Sequence, residues 1–151
     1  MKVSDICKRN AVTVREFDEL TAAAQLMREQ HIGYLVVVVP NVGDRTVSPV
    51  GVITDRDIVV EVMAQGADPR ALTVGDVMTR QPVVAEEDSS VSAALQRMRE
   101  IGVRRVPVVS RTGQLVGVLS LDDVLDALAE ELMDVASSIR HEIKVEGALR
   151  P

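Results

Sequence analysis

Aromatic side chains are almost absent from this chain: one Phe, one Tyr and no Trp in 151 residues. Proteins that hold single-stranded nucleic acid stack bases on aromatic rings, and so few rings argue against such a surface. They argue equally against an aromatic-anchored peptide groove. Cysteine is as scarce. Cys7 stands alone, so no intrachain disulfide can form, and a reducing compartment is the natural setting. No apolar run approaches the roughly 20 residues that span a bilayer. The opening "MKVSDICKRN" lacks the apolar segment of a secretory signal. A cytoplasmic location and no membrane partner are the expectation. Positive charge is not in excess either: the formal net charge is −6, with acids and bases interspersed. That balance disfavours a phosphate backbone as partner while leaving room for a local basic pocket. Nucleic acid is therefore not expected as a partner.

Catalytic signatures are missing as well. Neither His31 nor His141 is tied to a nucleophile by a motif, "GVLSL" is no G-x-S-x-G elbow, and no glycine-rich loop ends in Gly-Lys-Ser/Thr. Cys7, His31 and His141 follow no metal-ligand spacing. The expectation is a non-enzyme with no resident metal and no required cofactor.

What the chain does have is an apolar fraction of 46%, drawn mostly from Val, Leu, Ile, Ala and Met, and the same text written twice. "SDICKRNAVTV" (4–14) aligns with "GDVMTRQPVVA" (75–85), and "LTAAAQLMRE" (20–29) with "VSAALQRMRE" (91–100), both at an offset of 71 residues. The offset falls to 66 at "GVITDRD" (51–57) and "GVLSLDD" (117–123), because the first copy has five extra residues in its loop at 39–48. A repeat at this level sets the architecture before any local assignment.

Each copy reads as the same element order. A short extended piece leads to a helix with Asp18, or Asp88 and Ser89, as N-cap candidates. Its apolar positions recur at helical spacing: Leu20, Ala23, Ala24 and Met27, then Val91, Ala94, Leu95 and Met98. Two β-branched strands follow, and a second helix closes each copy near 56–65 and near 122–143. The fold class expected is α/β (α+β): two β-α-β-β-α repeats related by a pseudo-twofold axis and packed sheet to sheet. Each half has little surface to bury alone. The divisions expected are 1–66 and 73–128 for the repeats, 67–72 for the linker, and 129–151 for a C-terminal helical extension and tail.

The two glycine corners carry the functional question. Thr54 and Ser120 end a strand where a helix must start, and Asp57 and Asp123 follow three residues later. One reading is a capping box with Asp in place of Glu or Gln, the carboxylate also complementing the helix dipole. The other is nucleotide binding. Freed N–H groups at a helix start attract phosphate, a hydroxyl can donate to a phosphate oxygen, and a carboxylate can accept from a ribose diol.

"GVITDRDIVVEV" and "GVLSLDDVLDAL", preceded by "MREQHIGYLVVV" and "MREIGVRRVPVV", resemble tandem CBS domains over residues 1–143. The resemblance implies a regulatory, energy-sensing module, usually without catalysis, with up to two clefts for AMP, ADP, ATP or S-adenosylmethionine. It also implies frequent homodimers. By position it implies ribose contact at Asp57 and Asp123 and phosphate contact at Thr54 and Ser120. It places an adenine pocket along Val12, Thr13 and Val14, and along Val83, Val84 and Ala85. Ile32, Gly33 and Tyr34, and Val103, Arg104 and Arg105, complete the clefts. A CBS module that has lost its ligand and serves structure or an unidentified protein target is the alternative.

Two departures separate the copies. Val36 stands where the second copy has Pro107, and Gly33-Tyr34 where it has Arg104-Arg105. Arg56 of the first corner is Asp122 in the second, an acid that opposes an anionic ligand unless Arg105 compensates, so the corner of Thr54, Arg56 and Asp57 is the expected better site and that of Ser120 and Asp123 the weaker. Finally, Leu125, Leu128, Leu132, Val135, Ile139 and Ile143 form an apolar stripe on a last helix longer than its counterpart, which ends near Ala64. Such a stripe requires cover, from its own sheet or from a second copy. A homodimer through helical faces is the expectation.

Overall fold

The computed structural model describes residues 1–150. Its first copy contains α1 (Val3–Ile6), β1 (Thr13–Val14), α2 (Leu20–Gln30), β2 (Tyr34–Pro40), β3 (Val47–Thr54) and α3 (Asp55–Ile58), the last running into a π-helical turn over Val59–Met63. A 3-10 turn at Pro69–Ala71 leads to α4 (Val74–Val77), β4 (Thr79–Arg80), β5 (Ala85–Glu86), α5 (Val91–Ile101), β6 (Arg105–Val109), β7 (Leu115–Ser120) and α6 (Leu121–Leu149).

The expected mixed fold of two equivalent repeats is present, down to the register. β1 runs parallel to β2 and β2 antiparallel to β3; β5, β6 and β7 repeat the pattern. Leu35 faces Ile53 across one ladder, and their equivalents Val106 and Leu119 face each other in the second. Each antiparallel pair also breaks register at the same place, beside Val37/Val38 and Val108/Val109. The single extra residue of a bulge bends and twists a strand, so both sheets curve alike. Leu35 to Val38 are all buried, as a strand covered on both faces requires.

The two leading segments change places. α4 belongs by sequence to the second copy, yet Val74 is packed in the core of the first, with Leu20, Leu35 and Ile53. Val3 of α1 is packed in the core of the second, with Val106, Val108 and Leu119. The backbone follows: β4 pairs with β3 through Gly51–Arg80 and Val52–Thr79. Lys8 and Val118 exchange both N–H···O bonds at 2.9 Å. One sheet thus has four strands, β1-β2-β3-β4, and the other three, β5-β6-β7, with Lys8 bridging its edge. Each half completes the other.

The helices depart from expectation at their ends. Ser90 caps α5, its hydroxyl accepting the Ala93 N–H at 3.1 Å, while Glu19 precedes α2 without a side-chain cap. Asp18 instead accepts from the Arg15 N–H at 2.7 Å, the Ser89 hydroxyl donates to the Glu86 carbonyl at 2.7 Å, and Asp88 pairs with Arg111 at 2.9 Å. Asp18 and Ser89 thus serve the turns ahead of the helices, while Asp88 ties its turn to the loop between β6 and β7. The second helix of the first copy is not regular throughout. The Ala64 N–H bonds Val59 O, five residues back, and the wider turn leaves Val62 fully buried. α6 runs on to Leu149 because Leu, Ala and Glu, strong helix formers, dominate it and no proline interrupts it. It does not fold back on its own sheet: every residue from Leu128 to Arg150 is exposed.

Candidate functional site

Both glycine corners are complete reciprocal capping boxes. Thr54 Oγ1 accepts the Asp57 N–H at 3.1 Å, and Asp57 Oδ2 accepts the Thr54 N–H at 2.8 Å. At the second corner Ser120 Oγ accepts the Asp123 N–H and Asp123 Oδ2 accepts the Ser120 N–H, each at 3.1 Å. The Ser120 hydroxyl also donates to Asp123 Oδ2. Satisfying the first N–H groups of a helix in this way fixes where α3 and α6 begin.

The glycine of each corner has a cause apart from the capping box. A Cβ on Gly117 would collide with the carbonyl oxygen of Lys8, and one on Gly51 would lie 2.7 Å from Met78 Sδ and 3.0 Å from Thr79 O. Both glycines exist so that the exchanged leading segment can lie against the strand.

A cleft with a volume of about 410 Å³ opens where the halves meet. From the first copy it is lined by Val12 and by Ile32, Gly33 and Tyr34; from the second by Arg105, Ser120, Asp122 and Asp123. Lys8 stands at its wall, Nζ 3.0 Å from Asp123 Oδ1. Asp123 is 8% exposed. Burial works to raise its pKa, but hydrogen bonds from Ser120 and Lys8 outweigh it and hold the carboxyl below the ordinary range. The same bond with Asp123 raises the Lys8 ammonium above its usual value. Asp122 does not face the cleft as an unpaired acid, for the guanidinium of Arg104 lies 3.7 Å and that of Arg105 4.0 Å from it. The Tyr34 hydroxyl is buried with no partner among the described residues. Burial pushes its ionisation far up, against the pull of Arg105.

The residues named from the sequence thus divide into four groups. Val12, Arg105, Ser120 and Asp123 share the cleft. Thr54, Arg56 and Asp57 stand at the other corner, Thr54 and Asp57 half-buried and Arg56 exposed. Val14 and Ala85 are buried in the two cores, and Val83 packs against the second. Arg104 is exposed on its ion pair with Asp122. Lys8, Asn10, Ala11 and His31 also line the cleft and were not singled out as site residues. His31 had a readable signal: it occupies the position of Gly102, and both end their helices with positive φ, 54° and 77°. Among the described residues no three His, Cys, Asp or Glu side chains gather to hold a metal ion, and no helix is long and apolar enough to cross a membrane.

Residues 3–64 and 74–130 each match the family model described as CBS domain. Hypoxic response protein 1 of Mycobacterium tuberculosis is 39% identical over 126 residues, 83% of this chain and 84% of that protein. A crystal structure of it with two coordinated zinc ions superposes with a TM-score of 0.69 at 37% identity, covering 83% of this chain and 98% of that one. The uncharacterized protein MK0525 of Methanopyrus kandleri is 34% identical over 83% of this chain, which spans 61% of that protein's length. The CBS domain protein PAE2072 of Pyrobaculum aerophilum, solved in complex with AMP, superposes with a TM-score of 0.70 at 28% identity. That match covers 82% of this chain and 89% of the other.

Proposed function

The chain belongs to the CBS-domain family, and from that premise we propose that it is a non-catalytic, cytoplasmic regulatory module that binds an adenine nucleotide between its halves. The observation that carries this reading is the cleft that joins Val12 and Tyr34 of one copy to Ser120 and Asp123 of the other. Its volume of about 410 Å³ falls in the range of small-molecule sites, on the order of 300–1,000 Å³. Asp123 uses Oδ2 for Ser120 and one side of Oδ1 for Lys8. A carboxylate offers about four lone-pair positions, so Oδ1 can still accept a ribose hydroxyl. Lys8 and Arg105 supply positive charge for a phosphate, and the Val12 wall suits an adenine face. The AMP carried by PAE2072 supports the same ligand class. Thr54, Arg56 and Asp57 offer a second, equivalent corner, with Val83 and Arg104 on its side of the pseudo-twofold.

Calorimetric titration with AMP, ADP, ATP and S-adenosylmethionine tests the reading. At least one should bind with about one equivalent per chain. Four flat titrations at millimolar ligand would return the protein to the second reading, a structural or partner-binding module. That reading draws on the two capping boxes, which are complete without any ligand. The exposed stripe of α6 supports a homodimer through helical faces in either case.

A further inference from the structure

The cleft between the halves is lined by Lys8 and Arg105 on the basic side and by Asp122 and Asp123 on the acidic side. Counting histidine as neutral, two bases face two acids, and a phosphate finds no surplus of positive charge. The two bases are not equally free. Lys8 Nζ lies 3.0 Å from Asp123 Oδ1, and Asp123 is buried. Drawing Lys8 away toward a ligand would leave a buried carboxylate short of its countercharge, which is costly. Lys8 therefore serves a phosphate only from where it stands. Arg105 is held more loosely, 4.0 Å from Asp122, and Asp122 keeps a second guanidinium, that of Arg104, at 3.7 Å. Arg105 can turn to a ligand without stranding an acid, provided Arg104 stays.

Backbone donors do not make up the difference. A helix start ordinarily presents unpaired N–H groups to an anion. At α6 three of the four from Ser120 to Asp123 already have acceptors. Ser120 N–H is on Asp123 Oδ2, Asp123 N–H on Ser120 Oγ, and Leu121 N–H on the Arg104 carbonyl at 3.0 Å. One spare guanidinium suits one terminal phosphate, which carries about −1.5 to −2 at neutral pH. Each further phosphate brings more negative charge beside Asp122 and meets no cation of its own. Like charges set side by side work against binding. The equivalent position of the other corner is Arg56, so the restriction belongs to Asp122 and not to the fold.

We infer that Asp122 determines specificity at this cleft: it selects a nucleoside monophosphate against di- and triphosphates, by occupying Arg104 and by repelling a second phosphate. The selectivity rests on the nucleotide reading above and names the ligand class of that same cleft.

Calorimetry of the full chain with AMP, ADP and ATP in magnesium-free buffer tests it, comparing the parent with Asp122→Asn. The parent should bind AMP roughly tenfold tighter than ATP, with ADP between them. Asp122→Asn keeps the size of the side chain, lies outside the capping box, and frees Arg104 and Arg105 together. It should tighten ATP more than AMP and shrink the preference roughly threefold or more. Asp122→Arg, which copies the other corner, should carry the change further and gives a second variant on the same question. Arg56→Gln should leave the preference as in the parent. A parent that binds ATP as tightly as AMP, or a preference that neither Asp122 variant alters, would overturn the selectivity and leave the nucleotide reading intact. A preference that moves with Arg56→Gln and not with Asp122→Asn would also overturn it, placing the discrimination at the Thr54 corner. Flat titrations with all three nucleotides would overturn the nucleotide reading and the selectivity together.

Discussion

Lys8 Nζ lies 3.0 Å from Asp123 Oδ1, so the first residues of one repeat are ionically tied to the helix start of the other. The tie reinforces the backbone exchange between Lys8 and Val118 and sits at the wall of the cleft. An interlock that crosses between repeats makes them one cooperative unit, because neither core is complete without the other's leading segment.

The pair gives stability a defined pH window. Asp123 titrates below its ordinary range, so its contribution is present above the unfolded carboxyl value, about 3.9, and is lost as pH falls through the lower folded value. Lys8 titrates above its ordinary range, so its contribution is complete below about 10.4 and is lost as pH rises through the higher folded value. Lys8→Met should lower unfolding free energy by about 0.5–1 kcal/mol near neutrality, the scale of an ion pair with one exposed partner. It should flatten the alkaline limb and leave part of the acid limb, since Ser120 still bonds Asp123. Urea melts at pH 3, 7 and 11 measure all three effects.

The two corner glycines should differ in tolerance. Gly117→Ala places a methyl against the backbone carbonyl of Lys8, which cannot move without breaking the Val118 pairing. Gly51→Ala meets Met78 Sδ at 2.7 Å, the middle of a flexible side chain, though Thr79 O at 3.0 Å still crowds it. Overpacking of this kind costs about 1–3 kcal/mol, and Gly117→Ala should lie at the high end. Cys7 reports the detachment directly. It packs against the second core, and burial raises its thiol pKa. A thiol reagent should modify it slowly in the parent protein and several-fold faster in Gly117→Ala.

His31 ends α2 in the left-handed region at φ 54°, where its counterpart is Gly102 at φ 77°. A side chain there is strained by roughly 1–2 kcal/mol, of which the extra unfolded-state entropy of glycine takes back a part. His31→Gly should raise stability by about 0.5–1 kcal/mol, read as a shift of the denaturation midpoint at constant slope. A fall in stability would mean that the imidazole holds the cleft wall by a contact worth more than the strain.

Much of this fold is legible in the sequence because its signals are local or repeated. The run Leu35–Val38 reads as a covered strand, and the offset of 71 residues imposes the same order twice. The last helix shows its stripe at spacings of three and four. The exchange of leading segments is not legible in that way. Nothing in "SDICKRN" says which sheet it will join, since both sheets present equivalent edges and the choice is made by long-range packing. Lys8 is not legible as a cleft residue for the same reason: it reaches Asp123 only across the exchange, and its counterpart Thr79 has no charge to match. Gly51 and Gly117 did carry a signal, for a glycine inside a strand marks a close backbone approach. Read only as the start of a strand-to-helix corner, that signal pointed at the wrong neighbour.

The carboxylates of the two corners separate capping from ligand contact. Counting charges alone, Asp122 handicaps the Ser120–Asp123 corner; the guanidinium groups 3.7 and 4.0 Å from Asp122 and the presence of Lys8 remove that handicap. Asp123→Asn should therefore lower nucleotide affinity roughly ten- to a hundredfold, the scale of a charge-assisted hydrogen bond of about 1.5–3 kcal/mol. Asp57→Asn serves as the internal control. It spoils the same box and dipole interaction at a cost of about 0.5–1 kcal/mol in stability, so a loss of folding common to both variants is subtracted by comparing their melts. A larger affinity loss at Asp57 would move the ligand to the Thr54 corner, where Arg56 can face its phosphate. Equal losses would mean two occupied clefts with matched roles. Unchanged affinity at both, with stability reduced at both, would leave each hydroxyl–carboxylate pair as a helix cap whose repetition reflects only the repetition of the fold.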